Sequence, residues 1–244
     1  MAIRMEADDL RIQVAWACRI LALRGHGDFT LGHVSARGSE DSIYMKRSGL
    51  GLNEVTPEDV LTIDSTGIKL EGAGQVHREV VIHTELYRAR PDVGSVIHTH
   101  PPHSIALGAS DAGLSLLGHD AALFKDGVGV FDDSADLITR PEQGLAVSRA
   151  LGSRRAVLLR NHGVVVVGKD ILWATISALT LERAAYIQAI AVSFGGLRPM
   201  TPEMAERLHP DKYPDDYMAD YWQYLIRELR RQRLDHGMPE AAQP

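Results

Sequence analysis

Three histidines and a glutamate give this sequence its strongest chemical signal. In His98-Thr99-His100 the two imidazoles are two residues apart at the end of an apolar run, Gly94 to Thr99, that reads as a buried strand. Strand side chains alternate between faces, so His98 and His100 fall on the same face within reach of one ion. Such a pair alone is common in ordinary strands, so a third ligand has to come from elsewhere. His162 is the natural candidate. It stands in Asn161-His162-Gly163 between two β-prone runs, Ala156 to Leu159 and Val164 to Val167, where a tight hairpin turn would hold it rigidly. Glu79 and His83 are one helical turn apart on the segment before the His-X-His strand. Glu79 can supply a fourth ligand or a general base, or serve only as a helix-start carboxylate; His83 reads as a packed or capping histidine.

The elements that must position these groups follow from periodicity. Asp8 to about Leu23 carries a helical stripe ended by Arg24-Gly25-His26-Gly27. Short strand-like runs follow at Phe29 to Ala36, Ser42 to Lys46, Val60 to Asp64 and Ile68 to Leu70, and suggest an antiparallel meander. Arg78 to Arg90 reads as a helix halted by Pro91. The second half alternates again. Gly127 to Phe131 reads as strand, Asp133-Ser134 as a helix start, Pro141 to Leu151 as helix, and Asp170 to Phe194 as the longest helix. The expected fold is α/β, a central mainly antiparallel sheet flanked by helices. Residues 1–200 are expected to form one domain, and 201–244 a helical tail that packs on its own or a neighbouring subunit.

Composition narrows the partners. The net charge of −6 has no long blocks of either sign, which disfavours a nucleic-acid or polybasic membrane surface and leaves a small molecule as the expected partner. The single cysteine, Cys18, lies in an apolar run and cannot form an intrachain disulfide, which suits a cytoplasmic protein. Charged residues break up the N-terminal apolar stretch, and no later one is long enough to span a bilayer.

Taken together, Gly32-His33-Val34-Ser35, the Ser48-Gly49-Leu50 turn, Glu79, Arg90-Pro91-Asp92 leading to His98-Thr99-His100, and Asn161-His162-Gly163 resemble, in order and spacing, the class II aldolase/adducin family. The resemblance runs from about Leu10 to Gly195. It implies an α/β/α sandwich, a homotetramer with sites at subunit contacts, and one divalent metal per subunit. The metal would be held by His98, His100 and His162, with Glu79 a ligand of the resting metal or a proton carrier. Zinc, manganese, cobalt and ferrous iron all accept such ligands.

The departures from the sugar-phosphate members are informative. Those members bind phosphate with an asparagine in a Gly-Asn-Val-Ser-like motif and a Ser-Ser pair before the glutamate. Here His33 takes the asparagine position and His77-Arg78 precede Glu79. The Arg78 fork matches a carboxylate bidentately. The expectation is therefore a metal-dependent lyase of a small unphosphorylated carboxylate, most of all a decarboxylase of a hydroxyaromatic acid. Glu79, His33 or His77 would protonate the ring carbon, and Arg78, His77, Ser48 and Gly49 would line the substrate site. Tyr217 and Tyr221 are candidates to reach a neighbour's site, or simply to pack the tail. The alternatives are retro-aldol cleavage of a hydroxy-keto acid or sugar derivative, iron-dependent oxygenation of an aromatic 2-oxo acid, and an adducin-like oligomerisation module without catalysis.

Overall fold

The computed structural model describes residues 2–39 and 41–239, with side chains from residue 9 onward. Eight strands form one sheet in the order β4-β3-β2-β1-β5-β8-β7-β6. These are β1 His33–Arg37, β2 Ile43–Lys46, β3 Val60–Ile63, β4 Lys69–Glu71, β5 Ser95–Thr99, β6 Gly129–Phe131, β7 Ala156–Leu159 and β8 Gly163–Gly168. Every neighbouring pair is antiparallel except β6 with β7. The expected meander is β1 to β4.

Helices cover both faces, as strands that are apolar on both sides require. On one face lie α1 (Ala2–Leu21), α3 (Pro102–Gly108), α5 (Ile171–Ser193) and α7 (Asp215–Arg231). There Val14, Ile20, Leu181 and Trp222 pack against Val34, Ile97, Leu158 and Val166 of the sheet. On the other face lie α2 (Val80–Ala89) and α4 (Pro141–Leu151), whose Ile82, Leu86 and Val147 meet Met45, Ile63, Val96 and Val165. This is the α/β/α sandwich.

Several boundaries differ from the sequence reading for local reasons. The first helix ends at Leu21, and a five-residue π-type turn, Ala22–His26, follows it, in which Gly25 has φ +84°. Asp133-Ser134 starts no helix, because the chain stays irregular until Arg140, where Pro141 sets the first helical φ of α4. The chain leaving β5 goes straight into a short helix, with Pro102 at the start of α3. The carboxylate of Glu182 on α5 caps that helix start, accepting from the backbone N–H groups of His103 (3.0 Å) and Ser104 (2.8 Å). The tail forms two helices, α6 (Pro202–Lys212) and α7, and α7 buries Met218, Trp222, Leu225, Ile226 and Leu229. No helix among the described residues is long and apolar enough to cross a membrane.

Candidate metal centre

One end of the sheet gathers the predicted histidines. Antiparallel pairing sets His33 opposite His98, and β5 is hydrogen-bonded on its other side to β8, which begins beside His162. The β7–β8 connection needs only Arg160, Asn161 and His162, with Asn161 in the left-handed region at φ +58°. Asparagine tolerates that conformation better than most residues, so it suits this turn. Gly163 is required by close approach: a Cβ there would lie 2.6 Å from His100 Cδ2 and 2.7 Å from the Thr99 carbonyl oxygen. The glycine thus lets the His162 turn close onto the His-X-His strand.

His98, His100 and His162 each offer a nitrogen within 4.8 Å of the others. The His98 Nδ1–H donates to the Val164 carbonyl (3.1 Å), and the His100 Nδ1–H donates to the Asp28 carboxylate (3.1 Å). Each bond fixes a tautomer that leaves the Nε2 lone pair free. Those two Nε2 atoms are then 3.1 Å apart, an arrangement of facing lone pairs that a cation between them relieves. Ligands at about 2.1 Å from a tetrahedral ion are separated by about 3.4 Å, so the spacing fits.

Glu79 occupies the N-cap position of α2 but makes no cap bond to its own helix. Its carboxylate turns instead into the cluster. Oε1 accepts the Ile138 backbone N–H at 2.8 Å and lies 3.6 Å from His162 Nε2, while Oε2 lies 3.8 Å from His98 Nε2 and 4.0 Å from His33 Nε2. This removes the reading of Glu79 as a solvated helix-start carboxylate. Burial raises its pKa, opposed by the Ile138 hydrogen bond and the Arg78 charge.

The imidazoles move the other way. Burial pushes His77 down to about 3 and His162 to about 4, and it holds His33 and His98 well below the ordinary value. Burial also lowers His100, opposed by the Asp28 carboxylate. Neutral imidazoles are the form that ligates metal.

The other predicted residues separate. His77 is buried, its ring 4.5 Å from that of His33, and its Nε2 accepts a hydrogen bond from the Lys46 ammonium at 3.2 Å. Arg78 is exposed beside Glu79. Gly49 is also exposed, at φ +84°, and the Ser48 backbone N–H is used by the Gln75 carbonyl. Tyr217 is 47 % exposed on α7, with Tyr221 as ring neighbour, and α7 packs on the sheet face opposite α2. Sequence reasoning missed Asp28 and Lys46. Neither carried a signal, since a lone aspartate in a turn and a lone lysine in a strand are ordinary, although Lys46 proves fully buried.

Residues 12–189 match the family described as the class II aldolase and adducin N-terminal domain. The chain belongs to this family. It is 34 % identical over 206 residues to a 3,4-dihydroxyphthalate decarboxylase of Rhodococcus jostii (strain RHA1), covering 78 % of this chain and 84 % of that one. It is 32 % identical over 211 residues to the Arthrobacter keyseri protein of the same name, covering 80 % and 85 %. Among solved structures, an aldolase II superfamily protein from Pseudomonas syringae superposes with a TM-score of 0.84 at 27 % identity, over 95 % of this chain and 96 % of that chain.

Proposed function

We propose that this chain is a divalent-metal-dependent lyase that decarboxylates a small, unphosphorylated hydroxyaromatic acid. The observation that carries this reading is the convergence of His98, His100, His162 and Glu79 at one sheet end in a chain similar along most of its length to two dihydroxyphthalate decarboxylases. The three imidazoles would hold the metal, which when bound would supply Lewis-acid polarisation of the substrate's oxygens.

The chain's own groups do the rest. As the bond between the ring and its carboxylate breaks, the electron pair stays on the ring carbon and carbon dioxide leaves. Glu79 Oε2 would deliver the proton that this carbon takes up; in support, Oε1 is anchored by Ile138 and burial raises the carboxyl pKa. The Glu79 carboxylate is then reprotonated from solvent. Arg78, exposed and adjacent, is available to clamp a second substrate carboxylate through its planar fork. His77 is already engaged by Lys46, so it acts as packing and support for His33. In a tetramer, Tyr217 on the exposed side of α7 would be free to close a neighbour's site.

The test is carbon dioxide release by the metal-replete protein from ortho-hydroxylated aromatic and pyridine carboxylates, run beside hydroxy-keto acids. Metal-dependent release supports the proposal. Aldehyde and 2-oxo acid products from the keto acids, with no release from the aromatic acids, would replace it with an aldolase.

A further inference from the structure

Beneath the metal centre, on the α2 face of the sheet, four polar side chains form a line shut off from water: His33, His83, Ser35 and Tyr87, with 2, 0, 0 and 4 % of their surface exposed. His33 Nδ1 is 2.6 Å from His83 Nε2, His83 Nδ1 is 2.6 Å from Ser35 Oγ, and Ser35 Oγ is 2.7 Å from the Tyr87 hydroxyl. At the other end His33 Nε2 is buried, has no hydrogen-bond partner, and lies 4.0 Å from Glu79 Oε2.

Counting donors gives the line a direction. Each neutral imidazole carries one N–H, and each hydroxyl one O–H. Suppose His33 Nδ1–H donated to His83. Then His83 Nδ1–H would donate to Ser35 and Ser35 to Tyr87, leaving the Tyr87 hydroxyl proton buried without an acceptor. In the opposite sense the donor left over is the His33 Nε2–H, which faces the Glu79 carboxyl oxygen 4.0 Å away. Tyr87 donates to Ser35, Ser35 to His83 Nδ1, and His83 Nε2–H to His33 Nδ1. Each sense leaves one buried donor unbonded, and that costs less beside the Glu79 carboxyl group, at the site end of the line, than at Tyr87, so the second sense is favoured.

We propose that Tyr87, Ser35 and His83 are positioning residues that lock His33 in its Nε2–H form, so that a neutral N–H donor faces the substrate carboxylate. This rests on the lyase reading above. It also decides between two candidate ligand sets. His33, Glu79 and His98 form a second group with donor atoms within 4.8 Å. A nitrogen bearing a proton cannot ligate, so the lock excludes His33 from the metal and leaves the ion to His98, His100 and His162. The same N–H gives the site a donor matched to a carboxylate oxygen in a place where a lone pair would repel it.

The decisive measurement is neutron diffraction from the zinc-loaded protein exchanged into heavy water. Deuterons on His33 Nε2 and His83 Nε2 are expected, and a deuteron on His33 Nδ1 would overturn the proposal. In solution, salicylate serves as a carboxylate probe for the zinc-loaded protein, with its integrity after the titration checked by chromatography and metal content by elemental analysis. His83→Leu should keep one zinc per chain and bind salicylate roughly tenfold more weakly, the loss of about one charge-assisted hydrogen bond. His83→Gln, whose amide can donate to His33, should recover part of that. Should His83→Leu fail to fold, Tyr87→Phe gives the same readout, with a smaller loss expected. Unchanged salicylate binding in a folded variant, or loss of zinc from His33→Ala, would refute the assignment. Neither readout measures decarboxylation, so failure of the lyase reading would be seen separately.

Discussion

His26 provides a test of how burial near the site couples to stability. The side chain closes the π-type turn after α1, is 1 % exposed, and shares a hydrogen bond of 2.9 Å between Nδ1 and the Oγ1 of Thr99, the residue between His98 and His100. Its Nε2 is buried without a partner. Burial pushes its pKa from 6.5 down to about 4, opposed only by the charge of Glu182. Because the folded value is depressed, its contribution is fully present above the unfolded pKa and is lost as pH falls from there through the folded value. Integrated over the window from about pH 7.5 to about pH 5, the loss is about 2 kcal/mol. His26→Gln keeps a side chain able to bond Thr99 and cannot titrate. Urea unfolding of metal-free protein at fixed concentration should therefore show the wild type losing about 2 kcal/mol more than the variant over that window. Parallel losses, within about 0.5 kcal/mol, would refute the claim that His26 is neutral in the folded protein.

Other expectations concern the centre and its supports. His100→Ala should remove bound metal and activity together, whereas Glu79→Gln should retain metal while slowing turnover about a hundredfold or more, as loss of a general acid does; metal analysis beside single-substrate kinetics separates the two. Asp28→Asn, which weakens the hold on His100 Nδ1, should lower metal affinity about 10-fold to 100-fold in a competition titration with a chelator. Gly163→Ala should lose metal without unfolding, since its Cβ would push directly on His100, and circular dichroism with metal analysis would show it. Glu182→Gln should destabilise the fold by about 1–3 kcal/mol at neutral pH through its bonds to His103 and Ser104. The hydrogen bonds hold the Glu182 carboxyl below its usual value against burial, so that stability is present above the unfolded pKa and fades as pH falls through the folded one; chemical unfolding of both forms checks it.

The parts of this architecture that depend on local patterns were legible in the sequence. The period-two run before His98, the glycine after His162 and Pro141 at a helix start each carry their own structural instruction, and the structure follows them. What could not be read were pairings between distant segments. Nothing near Asp28 announces that it will meet His100, nothing near Glu79 announces Ile138, and Glu182 caps a helix that begins 80 residues earlier in the chain, at Pro102. Asp133-Ser134 failed as a helix start for the converse reason, because a good capping pair is not enough without an amphipathic segment behind it. His83 was correctly read as packed, but its partners lie on β1, some 50 residues away, so its hydrogen-bonded line to Ser35 and Tyr87 emerges only from the fold.

The two outer strands of the sheet, β4 and β6, are each three residues long, and β4 carries Lys69 and Glu71 on either side of its centre. Edges that short, one of them charged, make poor templates for adding a strand from another molecule. Crowded copies of this protein therefore have little means of zipping their sheets into a continuous fibre. Association through the side chains of the helical layers or of the loops around the metal centre would leave every strand pairing undisturbed.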